Sequence, residues 1–140
     1  MSETKINAAL VSAVLASGVM PQARIAFEGA KFEPVTGQSW VRIIALPSDR
    51  SPAAMGSSAP QEWTGILQID ICHPLGTGTG PILADADKAL AYFKPGWRQR
   101  IEFQGQRVLI LKSSRSKIRR DDIWQVVSVD VHCMAWVFPA

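Results

Sequence analysis

The 140-residue sequence contains only two cysteines, Cys72 and Cys133. That count gives no basis for a disulfide framework. Both lie in strand-like sequence and are expected as free, buried or half-buried thiols. Long apolar runs are missing too. The most apolar stretch near the start, residues 8–20, is broken by Ser12, Ser17 and Gly18. It falls short of the roughly 18–20 residues of a membrane-spanning helix. Only Lys5 precedes it as a basic residue, which is not the pattern of a signal peptide, so a cytoplasmic protein with no membrane partner is expected. Neither sign of charge dominates. Fifteen Lys and Arg against twelve Asp and Glu leave a net charge of +3, which permits nucleic-acid contact without requiring it. There is no internal repeat and no long low-complexity tract. No nucleophile elbow or His-Glu-x-x-His pattern surrounds the serines, histidines and acids, so no catalytic residue is assigned.

What is present is ordinary globular material. Apolar residues make up 47% of the chain and charged residues 19%. A chain of this length forms one domain with a core of its own. Ile6, Leu10, Ala13 and Val14 recur at helical spacing and predict a first helix over residues 3–17, capped by Ser2 and ended by Gly18. Residues 23–29 suggest a short strand. Residues 40–48, "WVRIIALPS", are β-branched and aromatic and predict a clearer one, stopped at Pro47. Residues 48–61 carry Ser, Ala, Pro and Gly without period and predict a mobile loop.

A strand with one buried and one wetter face follows, in which Leu67, Ile69 and Ile71 alternate with Gln68, Asp70 and Cys72. A second helix is predicted over residues 81–93, with Pro81 in its first turn and Pro95-Gly96 after it. A hairpin turning at Gln104-Gly105 comes next, then a charged loop over about residues 112–120, then a long last strand. In that strand Val127, Val129, Val131, Cys133, Ala135 and Val137 share one face. Trp124, Val126, Ser128, Asp130, His132, Met134 and Trp136 share the other. Most links are too short for parallel crossovers. The expected fold is therefore α+β: a mainly antiparallel sheet with two helices packed on it, in a single domain.

Several stretches invite a chemical reading. "GTGTG", residues 76–80, stands between a strand and a helix, where phosphate cradles are built. Its spacing is Gly-x-Gly-x-Gly, not the dinucleotide Gly-x-Gly-x-x-Gly, and a hairpin rather than a single parallel strand follows the helix. Pro81-Ile82 stands where a phosphate-binding loop needs Lys-Ser/Thr. It reads as a turn whose glycines let the chain reverse and whose threonines, Thr77 and Thr79, cap the helix or touch a neighbour. Cys72-His73 and His132-Cys133 resemble metal ligands only superficially. Adjacent strand residues point to opposite faces, so each pair offers one ligand to a common site, and no metal is assigned. Asp70 and Asp130 share the wetter sheet face and are expected as solvated or salt-bridged carboxylates. Lys112, Arg115, Lys117, Arg119 and Arg120 gather within nine residues, a candidate contact with nucleic acid or an acidic partner. The five tryptophans are Trp40, Trp63, Trp97, Trp124 and Trp136. Trp124, Met134 and Trp136 on the wetter face are candidates for contact between subunits.

The order of pieces resembles the phage and prophage tail terminator (tail completion) family over nearly the whole chain. The densest likeness is "GILQIDICHPLGTGTGPILADADKALAYF": a strand ending in a bulky residue and proline, a glycine turn, and an alanine-rich helix with Asp at position 85. Trp40 and Arg42 match an aromatic-x-Arg start of the second strand, and Trp124 matches the aromatic that opens the last one. The resemblance implies a structural protein with no cofactor and no reaction. It implies a homo-oligomeric ring, commonly a hexamer, that binds the end of the tail tube protein and stops its polymerisation. The ring would present a surface to the head connector protein, pass DNA through its lumen, assemble in the bacterial host cytoplasm, and remain at the head-proximal end of the virion tail. "SSRSKIRR" is more basic than is typical of such relatives and could face the lumen or solvent. Two other readings stand beside this one: a head–tail neck or head-completion component that contacts DNA through residues 112–120, and a small nucleotide-binding enzyme using the turn from Gly76 to Gly80.

Overall fold

The computed structural model of the chain describes residues 3–52, 56, 59–96 and 100–138, with Ser48, Asp49 and Arg100 described in backbone only. Ser2, the expected helix cap, Trp97, and residues 53–55 and 57–58 of the expected mobile loop lie outside the described residues. The elements run α1 (Glu3–Ser17), a single 3-10 turn (Gln22–Arg24), β1 (Ile25–Ala26), β2 (Trp40–Pro52), β3 (Gln61–Pro74), α2 (Gly80–Tyr92), β4 (Arg100–Phe103), β5 (Gln106–Arg115), β6 (Arg119–Asp121) and β7 (Trp124–Val137). The strands form one sheet in the order β1-β2-β3-β7-β5-β4, with β6 also paired to β7. Every pairing is antiparallel except that of β1 with β2. This is the α+β arrangement expected.

Each element follows from its residues. Gly18 has φ +66° and ends α1 in the left-handed region that glycine favours. Gln104 and Gly105, with φ of 49° and 83°, make the tight turn of the β4–β5 hairpin, whose double positive φ suits the twist of the strands. Side chains of β3 and β7 alternate between two faces. Odd-numbered positions from Leu67 to Ile71 and from Val127 to Val137 are buried with Ile6, Leu10 and Val14 of α1 and Ile82, Ala86 and Ala89 of α2. Phe93, capping α2, is fully buried in the same core. α2 lies across β3, β7 and β5. α1 meets β4 and β5 on one flank and approaches Ile43, Ala45 and Leu67 on the other, so the sheet curls around it. Both helices therefore cover one face and leave the other to be explained.

Two boundaries differ from expectation. β2 does not stop at Pro47. It continues to Pro52 through an irregularity between Pro47 and Asp49, so residues 48–52 are strand paired with Gln61–Thr64 rather than loop. Proline is tolerated there because β2 is next to the sheet edge and a bulge absorbs the missing donor. The charged loop is also largely strand. Lys112 to Arg115 end β5, and Arg119 to Asp121 form β6; both run along the same side of β7. The break between them is closed by Ser116, whose N–H donates to Ser128 O at 2.8 Å and whose hydroxyl accepts from Ser128 N–H at 3.0 Å. Alternating serines and cations hide a strand from a reading that looks for apolar alternation.

Gly65 has a steric reason. A Cβ there would lie 2.6 Å from the Trp63 ring, which folds over it. Gly65→Ala is expected to cost about 1–3 kcal/mol by displacing that ring. Gly80→Ala, where nothing lies within 4 Å, is expected to be neutral or slightly stabilising. Urea unfolding midpoints of the two variants check the contrast.

Candidate functional site

The face of the sheet away from the helices carries the even-numbered side chains of β2, β3 and β7. It divides into three bands along the strands. At one end Trp40 and Trp124 meet edge-on with ring centroids 5.9 Å apart, and Phe32 packs on Trp40 at 5.4 Å. Cys72 and Val126 complete this small cluster. Trp124 is thus 9% exposed, closed within its own chain.

The middle band is polar and centred on Asp70, which is 1% exposed. Register aligns Arg42, Asp70 and Ser128 on β2, β3 and β7. Arg42 donates from Nε at 3.1 Å and from Nη2 at 2.7 Å to Asp70 Oδ2. Oδ1 accepts from Ser128 Oγ at 2.6 Å and from Gln68 Nε2 at 2.9 Å, and Arg119 Nη2 stands 3.8 Å away. Burial is the largest single influence on this carboxyl and pushes its pKa up. The hydrogen bonds from Ser128, Arg42 and Gln68, with the Arg42 charge, outweigh it and hold the group below its ordinary value. The hydrogen bond to Asp70 in turn raises Arg42. Asp130 does not pair with Asp70; it stands opposite Gln68 and Ser114. The band fastens β2, β3 and β7 together.

The third band is apolar and open. Leu46 is 43% exposed and Trp136 49%, with Ile44, Ile66 and Met134 half-buried between them. His132 stands opposite Ile66, Thr64 opposite Met134 and Glu62 opposite Trp136, so large apolar side chains interleaved with polar ones lie on an uncovered face, the make-up of a surface that meets a partner.

The basic residues do not form one patch. Strand alternation puts Lys112, opposite His132, and Arg119, opposite Val126, on this same face. Arg115, opposite Val129, and Arg120, opposite Gln125, belong to the other side of the sheet, and Lys117 is exposed in the link between β5 and β6.

The glycine turn is built for geometry. Gly76 and Gly78 have φ of 89° and 78°, and nothing lies within 4 Å of where their Cβ atoms would be. They supply a left-handed backbone that the turn requires. The threonines do not cap α2, contrary to expectation. Thr79, at the cap position, makes no side-chain cap bond, and its φ of −95° and ψ of −15° are already helical. The Thr77 hydroxyl donates to Pro74 O at 2.9 Å instead. Gln125 at the start of β7 donates to Thr77 Oγ1 at 3.1 Å and to Gly78 O at 2.7 Å, pinning the turn to the sheet. Thr77 and Thr79 are themselves exposed. Behind the turn, His73 Nε2 and Asp85 Oδ2 lie 2.6 Å apart and tie β3 to α2.

Cys72 and Cys133 are buried free thiols, each pushed up to about 12 by burial, so both stay protonated. Cys72 lies opposite Val126 and Cys133 opposite Gly65, so the two Cys-His pairs do not converge. Among the described residues no group of three or more His, Cys, Asp or Glu could hold a metal ion.

With this geometry in hand, the sequence from residue 5 to residue 132 matches the family described as phage tail terminator protein. The chain belongs to the phage tail terminator family. The family is one of structural proteins, so the chain is a structural component of a phage tail, assembled there with other virion proteins. No curated protein matches the sequence. Among solved structures, one known only by a sequence identifier superposes with a TM-score of 0.75 at 17% identity, covering 100% of this chain and 99% of the other. A chain from the virion of a native gene transfer agent (GTA) particle superposes at 0.59 with 15% identity, covering 98% and 97%. At such identities these likenesses establish the shared fold. No helix among the described residues is long and apolar enough to cross a membrane. The residues behind the likeness seen in sequence are the ones that fasten the structure: Trp40 to Trp124, Arg42 to Asp70, and Asp85 to His73.

The Asp70 cluster was not foreseen, though each member was visible as an even-numbered strand position. Its loss is measurable. Asp70→Asn strips the charge from a buried acceptor beside Arg42 and Arg119 and is expected to cost about 2–3 kcal/mol. Because the folded pKa lies below the ordinary 3.8, the unfolded chain binds more protons between the two values. Stability from Asp70 is therefore full above about pH 5 and is lost as pH falls through its folded pKa. Denaturant unfolding from pH 6 to pH 2 is expected to show a steeper acid loss in the wild type than in Asp70→Asn.

Proposed function

We propose that the chain caps the tail tube as a closed homo-oligomeric ring, a hexamer, which ends polymerisation of the tube and offers its far side to the head connector. The observation that carries this reading is the open apolar band of Leu46, Ile66, Met134 and Trp136 on a sheet whose other face is fully committed to helices. A cyclic ring needs two different patches per subunit, each complementary to the other. The β3–β7 pair supplies two candidates at its opposite ends. Met134 and Trp136 lie at one end, and the exposed turn with Thr77 and Thr79 at the other. Trp124, edge-on to Trp40, braces the turn end of the strand pair. The fold shared with a chain of a gene transfer agent virion supports a place in a particle. No catalytic role belongs to this reading.

Lys112 and Arg119, on the open face, are the cations placed to meet a lumen strand of DNA or an acidic partner. The register that sends Arg115 and Arg120 to the other side weakens a purely DNA-directed neck role. The Thr77 hydroxyl is engaged with Pro74 and Gln125, and the Gly-x-Gly-x-Gly spacing followed by Pro81-Ile82 does not support a nucleotide site.

Met134→Lys combined with Trp136→Glu is expected to leave circular dichroism and the unfolding midpoint near wild type, because these side chains are partly or largely exposed. Tails assembled with the variant should then run past their normal length or lack heads in electron micrographs. Wild-type tail lengths and normal head joining would overturn the assignment of this band.

A further inference from the structure

β5 and β6 run along one side of β7, and their own outer side is open. β4 pairs with β5 only from Gln106 to Leu109. The Gly96 N–H then donates to Ile110 O at 3.4 Å. Beyond that contact no described strand lies outside β5 or β6. Ser116 turns its N–H to Ser128 O at 2.8 Å, so in the antiparallel register Ser114 and Lys112 also turn their backbone groups to β7. Ser113 and Arg115, between them, turn theirs outward. A row of such groups is a template for another strand.

This edge carries an unbalanced charge. Lys112, Arg115, Lys117, Arg119 and Arg120 are all exposed, and no acid occurs between Leu111 and Arg120. Arg115 donates to Ser116 O, Arg119 to Ser116 Oγ and Arg120 to Asp122 O, all neutral acceptors. Among the described residues the five cations make one ion pair, Arg119 with Asp70 at 3.8 Å, and that carboxylate is already bonded to Arg42. Like charges keep two copies of this edge from pairing with each other and leave it open to a strand of opposite charge.

The split of the cations between faces decides what fits. Lys112 and Arg119 lie on the open face, Arg115 and Arg120 on the helix side. A nucleic-acid backbone lying along one face would leave the cations of the other unmet. An extended polypeptide beside the edge sends alternate side chains to both faces, so its acids reach both sets. We infer that the outer edge of β5 and β6 is a docking site for an acidic, extended segment of another protein, which adds as a strand and bonds the outward backbone of Ser113 and Arg115. The site is separate from the open apolar band and stands whether or not the chain closes a ring.

The test uses the full chain and two capped peptides, one of two Glu-Glu-Thr-Thr repeats and one of two Lys-Lys-Thr-Thr repeats, whose charges fall on both faces of a strand. Binding is read by amide NMR titration and by hydrogen exchange at Ser113 and Arg115. The acidic peptide is expected to bind at least about tenfold tighter than the basic one and to slow exchange at both amides. Arg115→Ser with Arg120→Ser is expected to weaken it about tenfold, although neither residue lies on the open face. Ser113→Pro removes an outward donor and keeps all five cations. It is expected to weaken the acidic peptide about tenfold and to leave binding of a short DNA duplex unchanged. Should circular dichroism show that Ser113→Pro does not fold, the acidic peptide N-methylated at its two central residues takes its place, with the same loss expected. No binding of the acidic peptide at millimolar concentration, or equal binding of both peptides, would overturn the proposal. So would full affinity of the N-methylated peptide. Binding that leaves Ser113 and Arg115 exchange unchanged would also overturn it, and tighter binding of the duplex in that case would assign these cations to nucleic acid.

Discussion

Everything else in this molecule depends on the register between β3 and β7. The two strands pair without interruption from Gln61 opposite Val137 to Pro74 opposite Trp124. Strand side chains alternate, so a slip of β3 by one residue would send Ile69 outward and Asp70 into the helix-covered core. The valines and isoleucines of the odd positions forbid that slip by burial. The Arg42–Asp70–Ser128 row forbids it by charge, since a carboxylate moved under the helices would lose every partner it now has. The same register places Trp40 beside Trp124 and divides the cations between the two faces.

Function follows from the asymmetry that this register creates. One face is closed by α1 and α2 and sealed by Phe93 and Ile82. The other is braced internally at one end by aromatic contact and in the middle by a saturated carboxylate, and is left open at the third band. A surface that is rigid in its centre and apolar at its margin suits an assembly part whose task is to fit other subunits. The buried, protonated cysteines and the pinned glycine turn agree with that role, because each serves packing or backbone geometry.

Much of this was legible in the sequence. Alternation in residues 66–72 and 124–137 reported the two central strands and both of their faces, and the 3.6-residue period reported both helices. The continuation of β2 beyond Pro47 was hidden because proline, serine and aspartate carry no strand signal when a partner strand supplies the order. β6 was hidden because "RRD" is exposed and charged; only pairing with β7 makes it a strand. The basic residues looked like one patch because spacing along the chain does not reveal on which face each lies. The Asp70 cluster and the His73–Asp85 tie join residues distant in sequence, so no local pattern reports them. The hydrogen bond from the Ala45 N–H to Glu28 is illegible for the same reason.

The central claim is that the open face, and in particular its apolar margin, is buried on assembly. Oxidative footprinting of the free chain and of the chain in purified tails measures this directly. Met134 and Trp136 are expected to be reactive in the free protein and protected in the tail, while Tyr92, 41% exposed at the end of α2, stays reactive in both. Protection of Tyr92 with Met134 and Trp136 unchanged would contradict the account, and would place the assembly surface on the helix layer.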